Sequence, residues 1–221
     1  MATLDLKADM EGDFFSDGIS IRRYQVTDIP LLYEAVRESI SEISPWMPWC
    51  HPEYSMKDSS TWVLSRDEAW ANEVEHSFVI TDAENGAFLG AVGLNQFHRE
   101  HQFANLGYWV RSSRAGRGVA TTATLLTARF GLRTLALQRI EILAAVGNRA
   151  SQRVAEKAGA KKEGVLRNRL SIRGQPHDAV MYSLIPSTRT SASEKGDRFG
   201  WREIASIETK NVKVPAEKIL P

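Results

Sequence analysis

Apolar and polar residues alternate along several short stretches of the chain, while elsewhere apolar residues recur at helical spacing. Residues 19–25 alternate apolar with charged positions, a pattern typical of a half-buried strand. The same reasoning predicts six further strands, at residues 77–82, 87–97, 105–113 and 139–146 and in two segments between 161 and 185 that are joined at 174–178. The tetrad at residues 83–86 predicts a tight turn, so the second and third strands should form a hairpin.

Four segments have the spacing of helices. Residues 29–42 follow Thr27 or Asp28, either of which is a candidate N-cap, and carry Pro30 in the first turn. The other three helices are predicted to begin near residues 56, 119 and 150. About seven strands and four helices in mixed order predict an α/β (α+β) fold, in which a sheet is flanked by helices.

The two ends of the chain differ from its middle. Residues 1–18 read as a polar N-terminal leader, and residues 187–221 begin with a stretch rich in serine, threonine and charge that is typical of a linker. We therefore expect one domain at residues 19–186. Residues 187–221 are predicted to be a C-terminal appendage that is flexible or forms an interface.

Composition excludes several classes of function. A content of 43% hydrophobic and 25% charged residues in 221 positions fits one globular domain, and a net charge of +1 disfavours a protein that grips a nucleic-acid backbone. The single cysteine, Cys50, excludes an internal disulfide framework and any metal site built from several cysteines. His98 and His101 have no third ligand in the pattern and are expected to face solvent, so no metal is predicted. We expect a cytoplasmic protein that binds neither nucleic acid nor membrane.

The stretch RAGRGVATTATLL, residues 114–126, joins a predicted strand to a predicted helix through two glycines, Gly116 and Gly118. Free N–H groups in a first helical turn bind anions, and glycine lets the backbone approach a phosphate. A glycine pair ahead of a helix also occurs as a plain turn. The better known nucleotide patterns are not met, because Thr121 stands where a third glycine would be required.

Four ordered motifs resemble the GNAT superfamily of acyl-CoA-dependent N-acyltransferases. The family signature, glutamine or arginine, two residues, glycine, one residue, then glycine or alanine, falls on residues 115–120, with Ala115 where the long polar side chain is usual. GNRASQRVAEKAGAKKEGVLRN is similar to the family's next segment, with Asn148 and Ser151 in the marked places. SPWMPW and RGQPHDAVMYSLI resemble the RimJ/RimL-type branch of ribosomal-protein N-terminal acetyltransferases. The resemblance covers residues 19–185 and implies a GNAT-type fold with a mixed, mostly antiparallel sheet.

The resemblance implies acetyl-CoA as cosubstrate and implies where it binds. The strand NLGYWV is expected to splay at Gly107, which leaves main-chain N–H groups for the thioester carbonyl and the pantetheine arm. The glycine loop is expected to hold the diphosphate, and Asn148 the pantetheine amides. The predicted cofactor-binding residues are Trp109, Val110, Arg111, Arg114, Gly116, Arg117, Gly118, Val119, Ala120, Thr121 and Asn148.

Acyl transfer to an amine requires a way to remove a proton from nitrogen and to protonate the leaving thiolate. Ser151 matches a serine that this branch places near the sulfur, with Tyr182 as the alternative acid; Ser151 is equally consistent with a purely structural helix cap. Asn105 stands where many relatives carry glutamate, and an asparagine side chain cannot act as the base. Glu141 is expected to act as base through water if it faces the cleft, or else to be an ordinary paired strand residue.

The acceptor is the least determined part of the prediction. Trp46, Trp49 and Asn105 are predicted to wall the acceptor pocket, although the tryptophans also fit a core or dimer contact. An α-amine is partly neutral near pH 7, which favours the N-terminal amine of a protein or peptide, either a ribosomal protein or another one. A small-molecule amine and a non-catalytic acyl-CoA-binding module are the alternatives. The protein is expected to be a monomer or a homodimer.

Overall fold

A computed structural model describes residues 14–186, and its centre is a single eight-stranded sheet. Residues 1–13 and 187–221, which include the predicted appendage, lie outside the described range. The strands are β1 (Phe14–Ser16), β2 (Ile19–Arg22), β3 (His76–Asp82), β4 (Phe88–His98), β5 (Phe103–Val110), β6 (Arg139–Ala145), β7 (Lys161–Ile172) and β8 (Gln175–Leu184). Their order in the sheet is β1-β2-β3-β4-β5-β6-β8-β7.

Five α-helices accompany the sheet within the described residues. They are α1 (Asp28–Ile43), α2 (Met56–Leu64), α3 (Arg66–Ala71), α4 (Val119–Arg129) and α5 (Arg149–Lys157), and a π-helical turn at Phe130–Thr134 extends α4. The predicted second helix is divided at Ser65 into α2 and α3. The prediction of a mixed, mostly antiparallel sheet flanked by helices is confirmed. The additional strand, β1, lies within the predicted leader and pairs with β2.

Alternation along the central strands divides the apolar side chains between two cores. Phe78, Leu94 and Leu106 lie in the core that includes Ala123 and Leu126 of α4. The neighbouring positions Val79, Ala91 and Trp109 lie in the second core, with Leu32, Ala35 and Val36 of α1. A strand whose two faces are both buried needs apolar residues at nearly every position, which explains why β3 and β4 read as almost continuous apolar runs.

Every strand pair is antiparallel except β5 with β6, and this exception creates the opening in the sheet. The parallel pairing joins residues 103–105 only to residues 139–141. Beyond Asn105, β5 remains paired with β4, and beyond Glu141, β6 remains paired with β8. The facing edges of β5 and β6 are therefore released from each other from Leu106 onward.

Candidate active site

A glycine loop connects β5 to α4 at the mouth of this opening. Gly116 and Gly118 have φ angles of +77° and +85°, a left-handed conformation that favours glycine, and Gly118 is the N-cap of α4. A Cβ added to either glycine would meet nothing within 4 Å, so the backbone faces open space. The first turn of α4 carries no acidic residue. The loop therefore presents free main-chain N–H groups and the positive end of a helix dipole, which together suit an anion.

A cleft of about 430 Å³ runs from this loop between the separated strands. Its walls combine the released part of β5, the start of α4, the end of β6 and the start of α5. Nine of the predicted cofactor-binding residues line it, namely Trp109, Val110, Arg114, Gly116, Gly118, Val119, Ala120, Thr121 and Asn148. The cleft thus brings together residues that lie up to four elements apart in the chain.

The start of α5 places one hydroxyl in the cleft. Asn148 is the N-cap of α5, and its side-chain oxygen accepts a hydrogen bond from the Ser151 main-chain N–H at 3.0 Å. Because Asn148 does the capping, the Ser151 side chain is released from that role. The Ser151 hydroxyl instead lies 3.0 Å from the Tyr108 hydroxyl, which also donates to the Ser151 carbonyl oxygen at 3.0 Å.

Tyr108 is a site residue that sequence reasoning missed. It comes from β5, lines the cleft and is held against Ser151 across a gap of 43 positions in the chain. Burial raises the pKa of Tyr108 to about 12, so its phenol keeps its proton across the physiological range. The available signal was the alternation of NLGYWV, which places Tyr108 on the face opposite Gly107 and Trp109.

Helix α1 fixes the segment that precedes the glycine loop. Arg111 pairs with Glu38, its Nε donating at 3.0 Å, and Glu38 also accepts from the Ser113 main-chain N–H at 2.8 Å. The Arg111 hydrogen bond, followed by that of Ser113, lowers the pKa of Glu38 to about 2. The buried Ser39 hydroxyl accepts from the Ser112 N–H at 2.9 Å. The side chain of Arg111, one of the predicted cofactor-binding residues, therefore lies against α1 and does not line the cleft.

A second cavity, of about 610 Å³, lies on the α1 and α2 side of the sheet. Aromatic side chains form much of its wall, namely Tyr24, Trp49, Tyr54, Trp62 and Trp109. Its polar lining comes from Lys57, Asp58, Thr61, Ser65, Glu75, Ser77 and Asn95. Both cavities are lined by Met47, Gly107, Tyr108 and Trp109, so they meet at the point where β5 leaves β6.

Comparison with known proteins now decides the family. The sequence model described as acetyltransferase (GNAT) domain matches residues 19–161 of the chain. The chain belongs to the GNAT family. It is therefore an N-acetyltransferase, and its acyl donor is acetyl-CoA.

Several relatives and structural neighbours of this GNAT protein are named as ribosomal-protein acetyltransferases. The Bacillus subtilis (strain 168) protein named "Putative ribosomal N-acetyltransferase YdaF" is 27% identical over 173 residues, 77% of this chain and 92% of the relative. Among solved structures, the ribosomal-protein-S5-alanine acetyltransferase from Vibrio fischeri has a TM-score of 0.69 at 21% identity, covering 78% of this chain and 96% of that one. Mycobacterium smegmatis RimJ in complex with CoA-disulfide has a TM-score of 0.67 at 24% identity, covering 76% and 81%. These structures share the fold.

The two tryptophans that were predicted to line the acceptor pocket lie in different cavities of this GNAT protein. Trp49 lines the second cavity, where its ring lies 5.9 Å from Trp109 and 6.1 Å from Tyr54, centroid to centroid. Trp46 lines the cofactor cleft instead, since a Cβ at Gly147 would lie 3.3 Å from its Cη2 atom. Sequence analysis placed both tryptophans at the acceptor. Two residues between them are enough to turn the loop from one cavity to the other.

The remaining predicted residues are not part of the lining of either cavity. Tyr182 is fully buried, and its hydroxyl donates to Glu156 at 3.0 Å; burial raises the pKa of Tyr182 to about 12. Glu141 accepts from Arg139 Nε at 2.8 Å. The Asn105 amide donates to Asn95 Oδ1 at 2.9 Å. Arg117 is exposed outside the cleft wall.

Two further expectations concern metals and membranes. His98 and His101 stack on each other with centroids 4.5 Å apart at the end of the β4–β5 hairpin. Residues 14–186 contain no group of three or more His, Cys, Asp or Glu side chains arranged to hold a metal ion. None of the helices in that same range is both long and apolar enough to cross a membrane.

Proposed function

We propose that the acceptor of the acetyl group is the N-terminal α-amine of a protein or peptide. The observation that carries this proposal is the second cavity, which meets the cofactor cleft at Gly107, Tyr108 and Trp109. At about 610 Å³ it is within the size range of pockets for ligands much larger than a simple amine, so it has room for the first residues of a polypeptide. The names of the ribosomal-protein acetyltransferases to which the chain is similar support the same acceptor.

The residues of the cleft fit acetyl-CoA. The glycine loop leaves the space that a Cβ would fill, and the N–H groups at the start of α4 suit the diphosphate. Arg114, which lines the cleft one residue before the position where the family usually has glutamine or arginine, would add a positive charge. Asn148 would face the pantetheine arm, although its side-chain oxygen already caps α5.

The protein's own groups then supply positioning and one proton. Acetyl-CoA brings the acetyl group as a thioester, which an amine attacks directly. Main-chain N–H groups of β5 beyond Leu106 have no partner strand on the β6 side and are available to a carbonyl oxygen. Ser151 holds a proton at its Oγ atom for the leaving sulfur, and Tyr108 orients that hydroxyl through the 3.0 Å contact. Since Tyr108 stays protonated, it donates to the Ser151 carbonyl oxygen while its own oxygen accepts from Ser151.

Release of thiol from acetyl-CoA tests the acceptor. We expect a peptide with a free N-terminus to have a kcat/KM at least about tenfold above that of small amines, because only the peptide fills the second cavity, a difference of about 1.4 kcal/mol. The control is the same peptide with a blocked N-terminus and an internal lysine, which should give no turnover. Equal turnover of the blocked peptide, or a preference for a polyamine or a free amino acid, would contradict the proposal and support a small-molecule acceptor.

A further inference from the structure

We propose that Glu75, acting through the Ser77 hydroxyl and water in the second cavity, takes the proton that a protonated amine must lose before it attacks. An ammonium group that becomes an amide loses two protons. The first goes to the Glu75 carboxylate. The second leaves nitrogen as the N–C bond forms and the C–S bond breaks, and it replaces, through water, the proton that Ser151 gives to the leaving sulfur. This assignment applies to any amine acceptor and does not depend on the acceptor being a polypeptide.

The choice of carboxylate follows from the lining of the second cavity. In the part of the chain that the structure describes, Asp58 and Glu75 are the carboxylates that line it. Asp58 accepts from the main-chain N–H and the hydroxyl of Ser55, at 2.7 and 2.6 Å, as part of the capping box of α2. The Asp58 carboxylate is therefore held at the start of α2, where it already has a structural role. Glu75 is the remaining candidate.

The sheet leaves an open path from Glu75 to the reaction point. Ser77 of β3 is directly opposite Gly93 of β4, and Gly93 is directly opposite Gly107 of β5. The two glycines place no side chain of their own on this face, and Ser77, Gly93 and Gly107 all line the second cavity. Strand spacing puts Ser77 roughly 10 Å from Gly107, a gap that a short chain of water molecules spans. A Cβ at Gly93 would lie 3.2 Å from Ser77 Oγ, so a larger residue would obstruct the path.

The two carboxylate oxygens of Glu75 have different partners, and one of them faces the proposed path of the proton. Its Oε1 atom accepts from Ser77 Oγ at 2.6 Å, and its Oε2 atom accepts from Arg66 Nη1 at 2.9 Å. Arg66 is itself fixed, because Nε donates to the Trp62 carbonyl and the guanidinium lies 3.5 Å from the centroid of the Trp62 ring. Ser77 passes its hydroxyl proton to Glu75 as it receives another from water. The other titratable groups that line this cavity are Tyr24, Tyr54, Lys57, Asp58 and Tyr108.

The two positions considered for the base from sequence lack this access. Asn105 is an amide, and its Nδ2 group donates to Asn95 Oδ1. Glu141 lines neither cavity and is paired with Arg139. Glu163 is the matched control, because it also accepts from an arginine, Arg139 at 2.8 Å, and from a serine hydroxyl, Ser183 at 2.6 Å, but lines neither cavity.

Two nucleophiles of different basicity test the assignment with acetyl-CoA as donor. Ethanolamine is protonated at pH 7 and must lose a proton, whereas hydroxylamine is already neutral; both are small enough to react whether or not the natural acceptor is a peptide. For Glu75→Gln we expect kcat/KM for ethanolamine at pH 7 to fall by about 100-fold, while that for hydroxylamine falls by less than about threefold. The loss with ethanolamine should shrink as pH rises, because the amine then arrives neutral.

Control variants separate proton transfer from structural damage. Ser77→Ala leaves the Glu75–Arg66 pair in place and should reproduce the selective loss with ethanolamine. Glu163→Gln should change the rate with neither nucleophile. Equal losses with both nucleophiles in Glu75→Gln and Ser77→Ala would show that these residues only support the fold, and unchanged rates would assign the proton to another group. A failure of peptides to outperform ethanolamine would overturn the proposed acceptor but leave this comparison intact.

Discussion

The two cavities of this acetyltransferase are built in different ways. The cleft beside the glycine loop depends on main-chain groups, on two glycines in a left-handed conformation and on the N-terminus of α4, all within residues 106–121. The end of α1, Trp46, Met47, β6, α5 and β7 complete its wall. The second cavity depends on side chains from α1, α2, β3, β4, β5 and the loops between them. The first is a local backbone structure, while the second exists only after distant segments have packed together. A family can therefore keep one cleft and vary the other cavity.

The largest effect should come from a charge in the cleft. Gly118→Asp places a carboxylate and a Cβ into the open space at the N-terminus of α4, where it would repel a phosphate and fill its site. We expect the Kd for CoA, measured by calorimetry, to rise by more than about 100-fold, the equivalent of about 2.7 kcal/mol.

Gly174→Asp is the matched control for this change. Gly174 has a φ of +74° and open space around its Cβ position, so the substitution carries the same charge and a similar backbone strain, but at the β7–β8 turn. Its Kd for CoA should stay within about threefold of the wild-type value. If the Gly118 variant binds CoA normally, the glycine loop is not an anion site; if both variants lose binding, the effect is strain.

A smaller effect, confined to turnover, should come from the hydroxyl pair. Ser151→Ala removes the proposed proton donor but leaves the Asn148 cap of α5, so the cleft keeps its shape. We expect kcat to fall by about 100-fold with little change in the Kd for CoA. Tyr108→Phe removes the 3.0 Å partner of Ser151 and should lower kcat by about tenfold. Unchanged kcat in Ser151→Ala, in steady-state assays with melting temperature as the folding control, would mean that the sulfur is protonated by another group.

The same contrast explains which parts of the structure could be predicted from sequence. Apolar periodicity depends on neighbours in the chain, so it gave the seven longer strands and the helical segments; β1, with three residues, is too short to show a period. The glycine loop was recognisable because its chemistry lies in consecutive residues. The pairing of Arg111 with Glu38 could not be predicted, because Glu38 is 73 positions away on α1.

The acceptor side was predicted less well for the same reason. Ser77 and Gly107 lie on one row only because β3, β4 and β5 pair in a particular register, and no local pattern specifies that register. Tyr108 and Ser151 meet across the opening in the sheet, which itself results from the short β5–β6 pairing. Side-chain clusters of this kind can be predicted only when the order and register of the strands are known.

The smallest expected effects come from two tryptophans of one loop. They also compare the two cavities most directly, because each tryptophan lines a different one. Trp49→Ala should raise KM for the acceptor about tenfold, or about 1.4 kcal/mol, since Trp49 packs on Trp109 and Tyr54 in the acceptor cavity, and it should leave the Kd for CoA unchanged. Trp46→Ala should do the reverse, because its ring packs at Gly147 on the wall of the cofactor cleft. Each variant is the control for the other, in steady-state kinetics and calorimetry on the same preparations. If both substitutions change only KM for the acceptor, or only the Kd for CoA, the loop acts as one unit and the two tryptophans do not serve different ligands.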